Sequence, residues 1–132
     1  RTAATVAIGP ILLFSNSATG TVEVVAGDVA VDGTMTSDGT VRIGNPATDA
    51  VCTDPTEVRT VGSSAGPRLH LRVTGHGFNA GSVSGPGCVS VAPNASANVG
   101  TVVPFQVGAI GIVGGSLSLS GDRTLPGVNF GA

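Results

Sequence analysis

With 132 residues and a net charge of −2, the chain is long enough for one domain with a real core and too short for two comfortable ones. Only 11% of its residues are charged, and its six basic residues are arginines standing singly, with no lysine, tryptophan or tyrosine; phosphate tracking and base stacking lack their usual groups, which excludes nucleic acid as an expected partner. Glycine at 21 residues, against a usual share of about 7%, together with abundant valine and threonine, predicts an all-β chain of short strands.

No apolar run reaches the roughly 18 to 20 residues needed to span a bilayer. Arg1 as the first residue fits a chain whose leader has been removed. Residues 5–14, TVAIGPILLF, are the most hydrophobic segment, and Gly9-Pro10 splits them. Proline has no N–H to give a ladder, so the segment reads as an edge strand, a kinked pair of strands or an arm. Left uncovered it would template aggregation, so it is expected to be buried in its own domain or in a neighbour's. The chain divides accordingly into an apolar arm or strand over residues 1–15 and a single domain over 16–132.

Residues 21–46 carry a meander, with Gly27-Asp28, Asp32-Gly33 and Asp38-Gly39 as two-residue hairpin turns, because Asp-Gly and Gly-x tolerate the positive φ that such turns need. The predicted strands are 21–26, 29–36 and 40–43, ended by Asn45-Pro46. A linker over 47–55 holds Cys52, and a short alternating strand follows over 57–61. Residues 68–81 combine strand and turn signals: Leu69, Leu71 and Val73 alternate inward, while Arg68, His70, Arg72 and Thr74 face outward. Gly75, Gly77 and Gly81 then release the chain into a turn. Strand 82–91 is broken at Gly85-Pro86-Gly87 and contains Cys88. The second apolar block, 101–113, is bent at Pro104 and thinned by Gly108 and Gly111. Leu117 and Leu119 point inward from 116–120, and 128–130 completes the sheet. About nine short strands at regular spacing without helices predict a β-sandwich with meander or Greek-key connections.

From Asp54 the sequence DPTEVRTVGSSAGPRLHLRVTGHGFNAGSV resembles the opening of immunoglobulin-like domains of the IPT/TIG type, in which a Pro-containing strand, a Gly-Pro turn and an alternating strand end in Gly-x-x-Phe. The matching positions are Pro55, Val58, Val61, Gly66, Pro67, Leu69, Leu71, Val73, Gly75 and Phe78. The Val-x-Gly-x-Gly style is also similar to secreted actinobacterial sandwiches of the neocarzinostatin group. Either resemblance implies an immunoglobulin-like β-sandwich and no enzymatic role.

Cys52 and Cys88 are the only cysteines. In an extracellular setting they form one disulfide, closing a loop of about 37 residues; in a cytosolic one they are two buried thiols. The lysine-free, Gly/Thr/Ser-rich composition favours the disulfide and an extracellular, surface-exposed or virion location. His70 and His76 are the only histidines, and along an extended strand they would lie about 20 Å apart at about 3.3 Å per residue, too far to share a metal ion. Asp28, Asp32 and Asp38 fall on turn signals without the Asp-x-Asp-x-Asp-Gly spacing of a calcium loop, and Glu23 faces Arg42 as a surface pair. Asn94-Ala95-Ser96 matches a glycosylation sequon in a loop-like stretch. No residue is assigned a catalytic, cofactor-binding or metal-binding role, no cofactor is expected, and the chain is not expected to be an enzyme.

The expected function is that of a structural subunit of an extracellular or virion assembly, such as a pilus, filament, surface layer, or phage capsid or tail. Low surface charge and two apolar blocks suit a chain that buries its surface against copies of itself. One subunit's arm would complete a neighbour's sheet by strand addition, with Val6, Ile8, Ile11 and Leu13 as the assembly plugs. The alternative is a secreted monomeric module that holds a small hydrophobic ligand in a cleft.

Overall fold

Each alternating run in this chain is short before Gly, Asn, Asp or Pro interrupts it, so each buries one face and must then turn. In the computed structural model, which describes residues 5–8, 13–25, 27–53, 67–101, 103–120 and 127–131, those turns carry the chain from one sheet to the next around a common axis. The strands in the first half are β1 (Thr5–Ile8), β2 (Leu13–Asn16), β3 (Thr21–Val24), β4 (Asp28–Val31), β5 (Thr34–Ser37), β6 (Thr40–Ile43) and β7 (Arg68–Leu71). Those in the second half are β8 (His76–Phe78), β9 (Ser82–Ser84), β10 (Cys88–Val91), β11 (Ser96–Val99), β12 (Phe105–Gln106), β13 (Ala109–Val113), β14 (Ser116–Leu119) and β15 (Gly127–Gly131). The first sheet runs β1-β4-β7-β10-β13-β15, the second β14-β11-β8-β5-β2 and the third β12-β9-β6-β3. All neighbouring strands are parallel. The chain is a β-solenoid whose complete coils are β1–β3, β4–β6, β7–β9 and β10–β12, followed by β13, β14 and β15.

The all-β expectation holds, but the immunoglobulin-like β-sandwich of about nine strands does not, and the resemblances to IPT/TIG domains and to the neocarzinostatin group fall with it. Such sandwiches are antiparallel. Alternation specifies which side chains are buried and leaves open which strand lies alongside; Asp-Gly and Gly-Asp serve a corner between sheets as readily as a hairpin. Asp32-Gly33 and Asp38-Gly39 are corners within the second coil, and the single strand expected over 29–36 is two strands, β4 and β5, on different sheets. The strand expected over 57–61 lies outside the described residues, as do Pro55, Val58, Val61 and Gly66 of the family resemblance.

Parallel register stacks like upon like, about 4.8 Å apart. On the first sheet Val29, Leu69, Val89 and Ile110 form one inward column and Val31, Leu71, Val91 and Ile112 a second. Val22, Val41, Val83 and Phe105 stack inward from the third sheet, and Met35, Phe78, Ala97 and Val99 from the second. These side chains form one continuous hydrophobic interior. Phe78 and Phe105 meet in it edge to face, with ring centroids 6.3 Å apart at 71°, the arrangement that aromatic quadrupoles favour.

The corners use residues suited to sharp bends. Gly85 has φ +114°, and a Cβ there would run into the Ile43 carbonyl of the coil below. Asn94 sits at φ +64°, which asparagine tolerates better than most residues. Main-chain hydrogen bonds continue through the corners from coil to coil: Ser82 N–H donates to Gly39 O, and Gly87 N–H to Ile43 O. At the first corner of the third sheet, the buried Asn16 donates through Nδ2 to Ser37 Oγ and Thr40 O, each at 3.1 Å.

Candidate functional surfaces

Of the expected assembly residues, Val6 and Ile8 lie in β1, which pairs with β4 of the same chain in the register Val6–Val29 and Ile8–Val31. They thus occupy the terminal positions of the two inward columns of the first sheet. Leu13 lies in β2 opposite Thr34, and Ile11 lies outside the described residues. Among the described residues β1, β2 and β3 each pair on one side only. The end coil therefore presents a row of main-chain donors and acceptors on each of the three sheets.

The outward face of the first sheet departs from the sequence reading. Arg68 and His70 were expected to face solvent, yet Arg68 is 0% and His70 1% exposed, and Ser90 and Ala30 are buried beside them. The long connection that leaves β6 is anchored on this same face. Its Cys52 is bonded to Cys88, Cα to Cα 5.6 Å, and the Cys52 N–H donates to Pro86 O at 2.7 Å, so the connection is fastened to this face. Arg68, Cys88 and Ala109 form one outward column there, and His70, Ser90 and Gly111 the next. His70 Nδ1 and Ser90 Oγ are hydrogen-bonded across β7 and β10. A Ser–His contact of this kind is one part of a nucleophilic site, but here both residues are buried, at 1% and 6% exposure, and the contact pairs two buried polar groups with each other.

The third sheet borders a cleft among the described residues. Arg42, Ser84 and Gln106 stack in one outward column along this cleft, whose volume is about 560 Å³. Val51, which is 65% exposed, Pro86 and Val107 also line it. Asn45 N–H donates to Asp49 Oδ2 at 2.7 Å and Ala47 N–H to Asn45 Oδ1 at 2.9 Å, which shapes the turn that leaves β6. Arg42 lies beside Glu23 at 3.6 Å, both half exposed, so the expected Glu23–Arg42 pair is present, between parallel strands; screened by water, it contributes little. The cleft offers one guanidinium, a hydroxyl and an amide beside these apolar side chains, a surface suited to a small apolar ligand with one polar end.

His76 is 0% exposed and points inward from the second sheet, in register with Ala97. His70 and His76 thus stand on different sheets, one facing out and one facing in. Among the described residues no three His, Cys, Asp or Glu side chains converge as metal ligands would. Asp32 lies 3.5 Å from Arg72, a pair between neighbouring coils that sequence spacing alone did not suggest. Among the described residues no helix is long and apolar enough to cross a membrane. Compared with protein-family models, curated proteins and solved structures, the chain shows no significant match.

Proposed function

We propose that this chain is a non-enzymatic structural subunit of an extracellular or virion assembly, and that it associates end to end through parallel strand addition. The observation that carries the reading is the solenoid's end coil: three parallel strands, each hydrogen-bonded on one side among the described residues, with Val6 and Ile8 at the register positions of the inward columns. A strand added from a second copy would gain main-chain hydrogen bonds along the edge and would be held in register by the columns behind it. The Cys52–Cys88 disulfide fits an oxidising compartment, and the extracellular or virion setting follows as part of this proposal.

The test is sedimentation velocity over a concentration series, followed by electron microscopy. Wild type is expected to form larger, elongated species as concentration rises. Inward positions of the first sheet turn their main chain toward the following coil, Val31 O accepting from Arg72 N–H and Leu71 O from Ala92 N–H, so the free-edge N–H groups of β1 belong to the alternate residues Thr5 and Ala7. The variants Thr5→Pro and Ala7→Pro, which remove those donors, are expected to stay monomeric. A wild-type chain that remained a monomer of about 13 kDa at every concentration would overturn the proposal. That same outcome would favour the second reading, a monomeric module whose cleft beside Arg42, Ser84 and Gln106 holds a small hydrophobic ligand.

A further inference from the structure

The second and third coils meet at the least regular junction in the solenoid. Elsewhere the chain passes from one coil to the next in a few residues, but β6 ends at Ile43 and β7 begins at Arg68. A long connection holds two coils together weakly, because it restricts their separation little. Contacts across the junction must therefore do the holding. In the second sheet the ladder there runs only through Thr36–Gly77 and Ser37–Phe78, whereas β2–β5 and β11–β14 are in register over four residues.

His76 stands at that thin point. Its Nδ1 lies 3.0 Å from the Met35 nitrogen, so the Met35 N–H of the second coil donates to an imidazole of the third. Its Nε2 lies 3.3 Å from the Val73 nitrogen. A neutral imidazole has one lone-pair nitrogen, so it accepts from only one of these two backbone N–H groups, and the shorter contact assigns the lone pair to Nδ1 and the Met35 N–H. Once protonated, both ring nitrogens are donors. Nδ1–H would then point at Met35 N–H, and a charge would sit inside the hydrophobic interior. Among the described residues the flanking strands β5 and β11 contain no titratable side chain to offset it, and the interior around the ring is apolar. Asp32 and Arg72 also span this junction, partly exposed and paired with each other at 3.5 Å. Thr34 Oγ1, donating to Thr74 O at 3.1 Å, and Arg72 N–H, donating to Val31 O at 3.2 Å, are further polar links between the two coils.

We infer that His76 is an acid-sensitive staple: neutral, it binds the second coil to the third through Met35, and protonated, it releases that junction. Burial lowers the ring's pKa below its ordinary value, while a hydrogen bond with the Val73 backbone acts more weakly in the other direction. The folded value thus lies below the unfolded one of about 6.5. The staple's contribution is complete above about pH 6.5 and fades as the pH falls below it toward the folded value. This inference rests on the fold alone and stands whether or not the chain assembles.

The test is native-state hydrogen exchange at pH 7.5 and pH 5, expressed as protection factors so that the intrinsic rates cancel. In wild type the Met35 amide is expected to lose at least tenfold in protection between the two, more than amides of β10 and β13. In His76→Gln, which accepts a hydrogen bond but does not titrate in this range, that loss should vanish. In Asp32→Asn and His70→Gln it should persist. Equal loss in wild type and His76→Gln, or no loss in wild type, would overturn the inference. If His76→Gln does not fold, NMR titration of the wild-type ring decides: a pKa at or above the ordinary 6.5 or so with the Met35 amide undisturbed overturns it, and a depressed value with Met35 shifting alongside supports it.

Discussion

Gly75 and Gly85 both sit at corners with positive φ, at +86° and +114°, yet they should answer substitution differently. At Gly75 an added Cβ meets nothing closer than Thr34 Cγ2 at 3.7 Å, so Gly75→Ala bears only the backbone penalty, about 1 kcal/mol. At Gly85 the same Cβ meets the Ile43 carbonyl and nitrogen. Main chain that is itself hydrogen-bonded, Ile43 O accepting from Gly87 N–H, cannot easily withdraw. Gly85→Ala is therefore expected to lose about 2 to 3 kcal/mol. Urea denaturation of the two variants checks the ordering, and a Gly75→Ala loss equal to or larger than that of Gly85→Ala contradicts it. The sequence shows that both glycines end strands. It does not show which one faces a neighbouring coil, because that depends on residues more than 40 positions earlier.

At the scale of elements, the long connection after β6 is the part that the sequence both exposes and conceals. Its turn signals at Asn45-Pro46 and its cysteine are plain in the sequence, and Leu69 and Leu71 were read correctly as inward. What stayed hidden is that Cys52 of the connection is fastened to the outward face of the first sheet at Cys88, a face on which Arg68 and His70 are buried although alternation places them on the outer side. Alternation reports a face, and whether that face meets water is decided elsewhere in the chain. The Cys52–Cys88 bond is the one covalent tie between the connection and this face. Replacing both cysteines by serine is expected to cost about 3 to 4 kcal/mol, the chain-entropy value for a loop of this size. It should also raise hydrogen exchange at Cys52 and at the turn over 45–49 more than at β11. Unchanged exchange at Cys52 would mean that the hydrogen bond to Pro86 O holds the connection by itself.

For the whole molecule, parallel stacking changes how stability is distributed. Each coil touches its neighbours above and below, and core columns such as Leu69–Val89–Ile110 repeat at steps of 20 and 21 residues. That repeat is present in the sequence, but the long connection places Val29 and Leu69 40 residues apart, so the period breaks after the second coil and the hairpin reading fills the gap. A stack coupled only through nearest neighbours should not share damage evenly. Phe105, 2% exposed in the fourth coil and edge-on to Phe78 in the third, gives a test. Phe105→Ala removes a buried ring at a cost of about 3 to 5 kcal/mol. In a nearest-neighbour array the lost protection should concentrate in β9, β10 and β13 and be much smaller in β3. A fully cooperative domain would instead lose protection equally in β3 and β10. Native-state hydrogen exchange on the variant separates the two, and a graded loss is expected because the second coil meets the third across a two-residue ladder in the second sheet and lies further along the stack from Phe105 than β9 and β10 do.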